Sequence, residues 1–256
     1  MTRTRREALR IGAAALAGIG TIGIMPWRAR AEGYSHDTQG GEIGIHPVSH
    51  ASFVMTTPGG PVIYVDPVGE PSAYEALPAA DVILITHQHG DHYAPETLAA
   101  LAARNDASLI VNPAVMEMLS ADLKPRATAV ANGETADAGG IPLRAIPAYN
   151  LTQERLQYHP KGRDNGYILE IDGMTVYIAG DTEDIPEMRA LTGIDIAFVP
   201  MNLPYTMDET AAASAVAEFK PTVVYPYHYR DSDLDKFEAA LKDASGESEV
   251  VRGPWY

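Results

Sequence analysis

Past its first 31 residues the chain reads as short apolar runs broken by turn residues. "EIGIHPV", "ASFVMTT" and "PVIYVDP" come first, and "PGG" at 58–60 separates the last two as a hairpin turn would. "DVILITH" is continuously apolar up to its histidine, the pattern of a strand covered on both faces. Residues 94–104, "APETLAALAAR", switch to helical spacing, with Pro95 in the first turn and Leu98 and Leu101 on one face. "SLIVN" then predicts a strand, "PAVMEMLSAD" a short helix and "IPLRAIPA" a strand. "GYILEIDGMTVYIAGDT" predicts two strands around Asp172 and Gly173, a strong hairpin pair. "IPEMRAL" predicts a short helix and "DIAFVP" a strand. "TMDETAAASAVAEFK" predicts an Ala-rich helix, with its cap and acidic first turn in residues 206–209. "PTVVYPYHY" is a strand ending in a histidine, and "LDKFEAALKDA" closes as a helix. Both halves mix hairpins with strand–helix alternation. The expected fold class is therefore α/β (α+β): two mixed sheets packed together, with helices on the outer faces.

The first 31 residues break this pattern. Arg5 and Arg6 lie in a basic stretch, an apolar Gly/Ala-rich run follows, and Ala29-x-Ala31 offers a small-residue cleavage site. The run is shorter than the roughly 20 residues a membrane span needs. Residues 1–31 read as a twin-arginine signal peptide and 32–256 as one periplasmic or exported domain, without stable membrane insertion after cleavage. An uncleaved tether is the alternative. Removing the leader leaves 13 basic and 33 acidic residues, a balance of −20. That charge repels phosphate backbones and anionic membranes, so nucleic acid is excluded as an expected partner. The chain has no cysteine, so any metal donors must be His, Asp, Glu or amides.

The candidate chemistry collects at strand ends. "DVILITHQHGDH" closes a buried strand with His87, His89, Asp91 and His92, holding three of the eight histidines. On an extended segment i and i+2 point to one side, so His87 and His89 can share a metal. Gly90 is expected to let the chain turn sharply, which brings Asp91 and His92 toward a second. A polar turn that merely contains histidines is the bland alternative, and the density of ligand types argues against it. Asp181 in "YIAGDT" and His228 in "VVYPYHY" also follow apolar strands. Singly they would be a capping aspartate and a surface histidine. Together they read as the other half of a metal site for zinc, manganese or iron.

These residues carry a resemblance. "THQHGDH", "GDT" and "PYHY" resemble the metallo-β-lactamase superfamily, with its H-x-H-x-D-H motif. "HASFVM", "YVDP", "AYN", "HPKGRDNGYILEIDG" and "VPMNLPYTM" are similar to a branch of metal-dependent hydrolases near the ascorbate-6-phosphate lactonase-like and N-acylphosphatidylethanolamine phospholipase-like groups. The resemblance covers nearly all of residues 32–256. It implies a four-layer αββα sandwich and one or two divalent ions, zinc or manganese foremost. It also implies that His87 and His89 hold a first metal, that Asp91, His92 and His228 hold a second, and that Asp181 bridges them. Where the superfamily places a histidine after the middle strand, "AIPAYN" has Asn150. An amide oxygen suits manganese or magnesium better than zinc. With Asn150 as its ligand the first site is therefore expected to be weaker, to recruit a different ligand, or to stay empty in the resting protein. His159, nine residues on, is the candidate recruit. Roles as ligand, as substrate or proton-transfer group, and as structural loop residue all stay open to it.

The activity so implied is hydrolysis of an ester, lactone, amide or phosphodiester bond of a small molecule by metal-bound hydroxide. Asp91 would orient the nucleophile or take its proton, with His159 the second catalytic candidate. Tyr149, Asn150, His159 and Tyr205 are expected to bind substrate. Lys161 and Arg163 suit an anionic group or form a solvated basic loop. His50 reads as a residue behind the ligands, as cleft lining or as a core histidine. His46 reads as packing and His36 as solvated. A metal-loaded binding or sensing module without turnover is the alternative function.

Overall fold

A computed structural model describes residues 33–256, so the leader expected over 1–31 lies outside the described residues. The first sheet runs in chain order. Strands β1 (Tyr34–Asp37), β2 (Glu42–Ser49), β3 (Ser52–Thr56) and β4 (Val62–Val65) pair antiparallel. Strands β5 (Val82–Ile85), β6 (Ser108–Val111) and β7 (Ala127–Ala129) then continue from β4 in parallel. The second sheet repeats the plan. Strands β8 (Thr135–Asp137), β9 (Pro142–Ala148), β10 (Asp164–Ile171) and β11 (Met174–Ile178) are antiparallel. Strands β12 (Ile196–Pro200), β13 (Val223–Tyr227) and β14 (Glu249–Val250) extend it in parallel.

The period of two along each strand decides which layer each side chain enters. Ile63 and Val65, Val82 and Leu84, Ile196 and Phe198, and Val223, Tyr225 and Tyr227 all fill one core between the sheets. Their neighbours in sequence, Tyr64, Ile83 and Ile85, meet Leu98, Leu101 and Val115 under helices α1 (Pro95–Ala102) and α2 (Pro113–Met118). Ala197, Val199 and Val224 meet Met188, Val216, Phe219, Phe237 and Leu241. Those residues lie on α3 (Pro186–Arg189), α4 (Glu209–Phe219) and α5 (Leu234–Asp243). The four layers are helix, sheet, sheet, helix, as expected. Each fully buried Val, Leu, Ile or Phe contributes about 1.5–3 kcal/mol relative to exposure. At the centre Phe53 stacks on Phe198 at 4.2 Å and Phe198 on Tyr225 at 5.0 Å, with Trp255 edge-on to both phenylalanines.

Local signals behave as their chemistry dictates. Asp172 and Gly173 both take left-handed φ, 47° and 82°, in the β10–β11 hairpin. Asp208 caps α4 by accepting from the Ala211 N–H at 2.7 Å. Two expectations are corrected. Gly90 does not need its freedom: its φ is not positive, and a Cβ there would meet open space. The turn is instead helical, closed by the N–H groups of His92 and Tyr93 on the His89 carbonyl. His36 is not solvated. It lies on β1, fully buried, with Nε2 2.6 Å from the Tyr225 hydroxyl of the opposite sheet. Among the described residues no helix is long and apolar enough to cross a membrane.

Candidate metal centre

The parallel strands of the two sheets deliver their carboxyl ends to a common rim, the place where open α/β sheets present ligand groups. Strand β5 leads to His87, β11 to Asp181, β13 to His228 and β4 to Asp66. Two of these ends, Asp66 (φ 43°) and His228 (φ 48°), pass through the left-handed region, as does His50 (φ 55°) in the turn between β2 and β3. Non-glycine residues held there cost of order 1–3 kcal/mol each, and such strain concentrates at functional sites. Gly180, before Asp181, has φ +66°, and a Cβ on it would stand 2.5 Å from the Asn165 carbonyl oxygen. Here a glycine is required.

Three overlapping groups of potential ligand atoms result, each with its atoms within 4.8 Å of one another: His87, His89 and His159; His87, His92 and Asp181; and His50, Asp91, His92 and His228. Asp181 stands among four imidazoles. Its Oδ2 lies 3.3 Å from His228 Nε2, 3.4 Å from His159 Nε2 and 3.9 Å from His87 Nε2, and its Oδ1 lies 3.3 Å from His92 Nε2. None of these pairs is aligned as a hydrogen bond. The Nε2 atoms of His87, His92, His159 and His228, with Asp181 Oδ1, are buried without a partner. Leaving such groups unmet costs about 1–3 kcal/mol each, so the donor set fits divalent cations.

Charge points the same way. Burial disfavours the Asp181 carboxylate, yet His228 and His92 outweigh it and hold the carboxyl well below its usual pKa. Burial likewise resists a proton on His92, but Asp181 and Asp66 on either side push its pKa up. Burial and His92 push His87 down. The anionic centre thus needs a cation, which without metal must be a protonated imidazole.

The far nitrogens are held from behind. His92 Nδ1 is 2.8 Å from Asp66 Oδ2, His159 Nδ1 is 3.0 Å from Asp164 Oδ2, and His87 Nδ1 is 3.0 Å from the Thr86 hydroxyl. Asp66 also accepts from the Thr86 N–H and hydroxyl, and Asp164 from Arg163. These contacts fix each ring so that Nε2 faces the centre. Glu183 accepts from the N–H groups of Leu151 and Thr152, which ties the loop bearing His159 to the turn bearing Asp181. Asp66, Asp164 and Glu183 were not anticipated as site residues. For Asp66 a signal existed, an aspartate directly after the apolar "VIYV".

Asn150 has its Oδ1 buried without a partner, while its amide nitrogen is engaged by the loop. Its amide nitrogen donates to the carbonyls of Arg155 at 3.1 Å and Tyr205 at 2.7 Å, and His159 stands with His87 and His89. Tyr149, expected to touch substrate, packs into the outer helical layer and donates to Glu187 at 2.9 Å. Lys161 pairs with Glu187 and Tyr149, and Arg163 with Asp164, so neither is a free cation for substrate. Tyr205 is exposed, its ring 5.0 Å from Tyr158 beside His159. A cavity of about 510 Å³ opens on the centre at His50 and Asp91, between Ser49, Arg230 and Tyr256. A larger one, about 620 Å³, lies around Arg144, Glu170 and Leu191 and contains none of the clustered ligands, so volume alone does not select the site.

Comparison with known proteins agrees with this geometry. The β-lactamase superfamily domain matches residues 45–228. A metal-dependent hydrolase of Anaeromyxobacter dehalogenans is 33% identical over 225 residues, covering 78% of this chain and 80% of its own. A Parabacteroides distasonis protein, described as a metal-dependent hydrolase, is 41% identical in its crystal structure. The match covers 87% of this chain and 98% of that one, with a TM-score of 0.77. A metallo-β-lactamase fold protein of Bacillus subtilis superposes with a TM-score of 0.63 at 13% identity, over 80% of this chain and 88% of its own, and shows the fold alone.

Proposed function

Because the chain belongs to the metallo-β-lactamase superfamily, we propose that it is a binuclear hydrolase of small-molecule esters, lactones, amides or phosphodiesters. The observation that carries this reading is Asp181, one buried carboxylate set among four imidazoles whose inward nitrogens have no partner. His87, His89 and His159 would hold one ion, and Asp91, His92 and His228 the other, with Asp181 shared. Imidazole and carboxylate donors of this kind suit zinc or manganese. When bound, such ions supply an activated water and polarise the scissile group.

The chain's own residues set up the rest. Asp66 and Asp164 hold the His92 and His159 rings and keep their donor tautomers. Asp91 is the acid of the centre that opens to the cavity, its side chain 42% exposed. It is placed to take the proton given up by the attacking water. Tyr158, next to His159 in sequence, packs edge-on against the exposed Tyr205.

Metal content by mass spectrometry, on protein purified without added metal, tests the reading. Close to two divalent ions per chain are expected, with turnover in a panel of the four bond classes. Asp181→Ala should lose both ions and all turnover. Full stoichiometry with full activity in that variant would end the bridging role, and two ions without turnover on any class would favour a binding module. The reading extends to place: residues 1–31 would direct export to the periplasm. Replacing Arg5 and Arg6 together by Lys should leave the protein in the cytoplasmic fraction, and its normal appearance outside would defeat the assignment.

A further inference from the structure

His50 lies against the centre but differs from the other clustered histidines in that both its nitrogens are engaged. Nε2 is 3.1 Å from Asp91 Oδ2, and Nδ1 is 2.6 Å from the Tyr256 hydroxyl. By contrast, Nε2 of His92 and of His228 has no partner. The direction of the chain of contacts follows from chemistry. A carboxylate only accepts, so Nε2 of His50 must carry the proton, and Nδ1 of the neutral ring must then accept from the phenol. Shielding of its hydroxyl pushes the Tyr256 phenol up to about 12, although the residue is 59% exposed.

Tyr256 is not loosely placed. Trp255, 1% exposed, packs edge-on to Phe53, Phe198 and Tyr227, and its carbonyl accepts from the His50 N–H at 3.0 Å. The His50 carbonyl in turn accepts from the His228 N–H at 3.0 Å, and the two rings lie 3.8 Å apart. Asp91 is only part-buried, with a side chain 42% exposed where it lines the cavity. Among the described residues, His50 and His228 are the groups that approach its carboxylate, at 3.1 and 3.5 Å.

We propose that Tyr256 and His50 are positioning residues that hold the Asp91 carboxylate in its ligating orientation, with His50 itself outside the ligand set. The proposal rests on the two-metal reading above. It gives the segment around Trp255 and Tyr256 a function: it carries a hydrogen-bond donor across the mouth of the cavity to the exposed acid of the second site.

Two measurements test this. In metal-free protein, long-range ¹⁵N–¹H correlation should show His50 as the Nε2–H tautomer, with an Nδ1 resonance that shifts in Tyr256→Phe. The Nδ1–H tautomer would overturn the proposal whatever the metal count. In a cobalt(II) titration followed by visible absorption, Tyr256→Phe should weaken the second binding step about tenfold and leave the first unmoved. His50→Leu should weaken that step more, and His50→Gln, whose amide N–H can still reach Asp91, should recover most of the loss. Curves for Tyr256→Phe and wild type that superimpose, or Gln and Leu variants that are equally impaired, would overturn the holding role. The latter result would make His50 a ligand or a packing residue. Thermal melts of the metal-free variants check that the fold is intact. A wild type that binds a single cobalt would refute the two-metal reading, while the tautomer still decides whether His50 holds Asp91.

Discussion

Asp66 accepts from three donors at once: the Thr86 N–H at 2.7 Å, the Thr86 hydroxyl at 2.6 Å and the His92 ring at 2.8 Å. It sits at φ 43°, a conformation that Asn tolerates as well as Asp does. Asp66→Asn therefore leaves the backbone unstrained and isolates the hydrogen bonds. It replaces one acceptor oxygen by a donor that faces donors. Metal affinity should fall by about 10–100-fold, and the unmatched buried group should cost about 1–3 kcal/mol of stability. Metal titration and urea unfolding of the metal-free protein check the two effects, and unchanged affinity would mean that Asp66 does not orient His92. The same residue shows how far a sequence can be read at this scale. The histidines and Asp181 declare themselves by density and by position at strand ends. The carboxylates behind them do not, because an aspartate after a strand is also a common turn residue. Asn150 was singled out by its place after β9, yet the loop that follows curls back. The Asn150 N–H donates to the His159 carbonyl at 2.8 Å, and it is the His159 ring that stands with His87 and His89. No spacing in the chain announces that return, since it depends on Asp164, Arg163 and Glu183 gripping the loop from three sides.

At the scale of elements, the segments with a full apolar face were legible and the edge strands were not. Strand β5 and strand β12 are buried at every position, and both read as continuous apolar runs. The Ala-rich α4 was legible from its cap, its acidic first turn and its spacing. Strands β7 and β8, with sequences "ATA" and "TAD", have no apolar face and are mostly exposed. They are strands because a neighbour offers them a hydrogen-bonding edge, which is a tertiary fact. Strand β14, two residues long, pairs only with β13 and is invisible for the same reason. The glycine at position 90 suggests a bend caused by backbone freedom, but it is not the cause. The chain bends there by starting a helical turn on the His89 carbonyl, which any residue can do. At Gly180 the cause is the glycine, because a Cβ would collide with the Asn165 backbone. The difference lies in what approaches from the neighbouring strand, and only the packed sheet reveals it.

At the scale of the molecule, the sandwich is closed by residues far apart in the chain, and His36 is one of them. It sits on β1 of the first sheet and reaches Tyr225 on β13 of the second, with the two rings edge-on at 5.7 Å. Burial lowers its pKa to about 4, against a smaller opposing pull from Asp37. The linkage follows from where protons bind. Above pH 6.5 the ring is neutral whether the chain is folded or not, and stability does not depend on it. Between pH 6.5 and about 4 the unfolded chain takes up a proton that the folded chain refuses, so stability falls as the pH falls. At about 1.4 kcal/mol per pH unit, this one ring removes up to about 3 kcal/mol across the window. His36→Gln keeps a polar partner for Tyr225 but cannot be protonated. Unfolding free energies of metal-free wild type and His36→Gln, measured by urea titration at pH 7.5 and pH 4.5, separate this effect from the metal-centre histidines, which both proteins share. The wild type should lose about 2–3 kcal/mol more than the variant between the two pH values. Equal losses would mean that protonation of His36 does not oppose closure of the two sheets. The acid sensitivity would then belong to the imidazoles around Asp181, and saturating metal, which keeps protons off its ligands, should steepen it equally in both proteins.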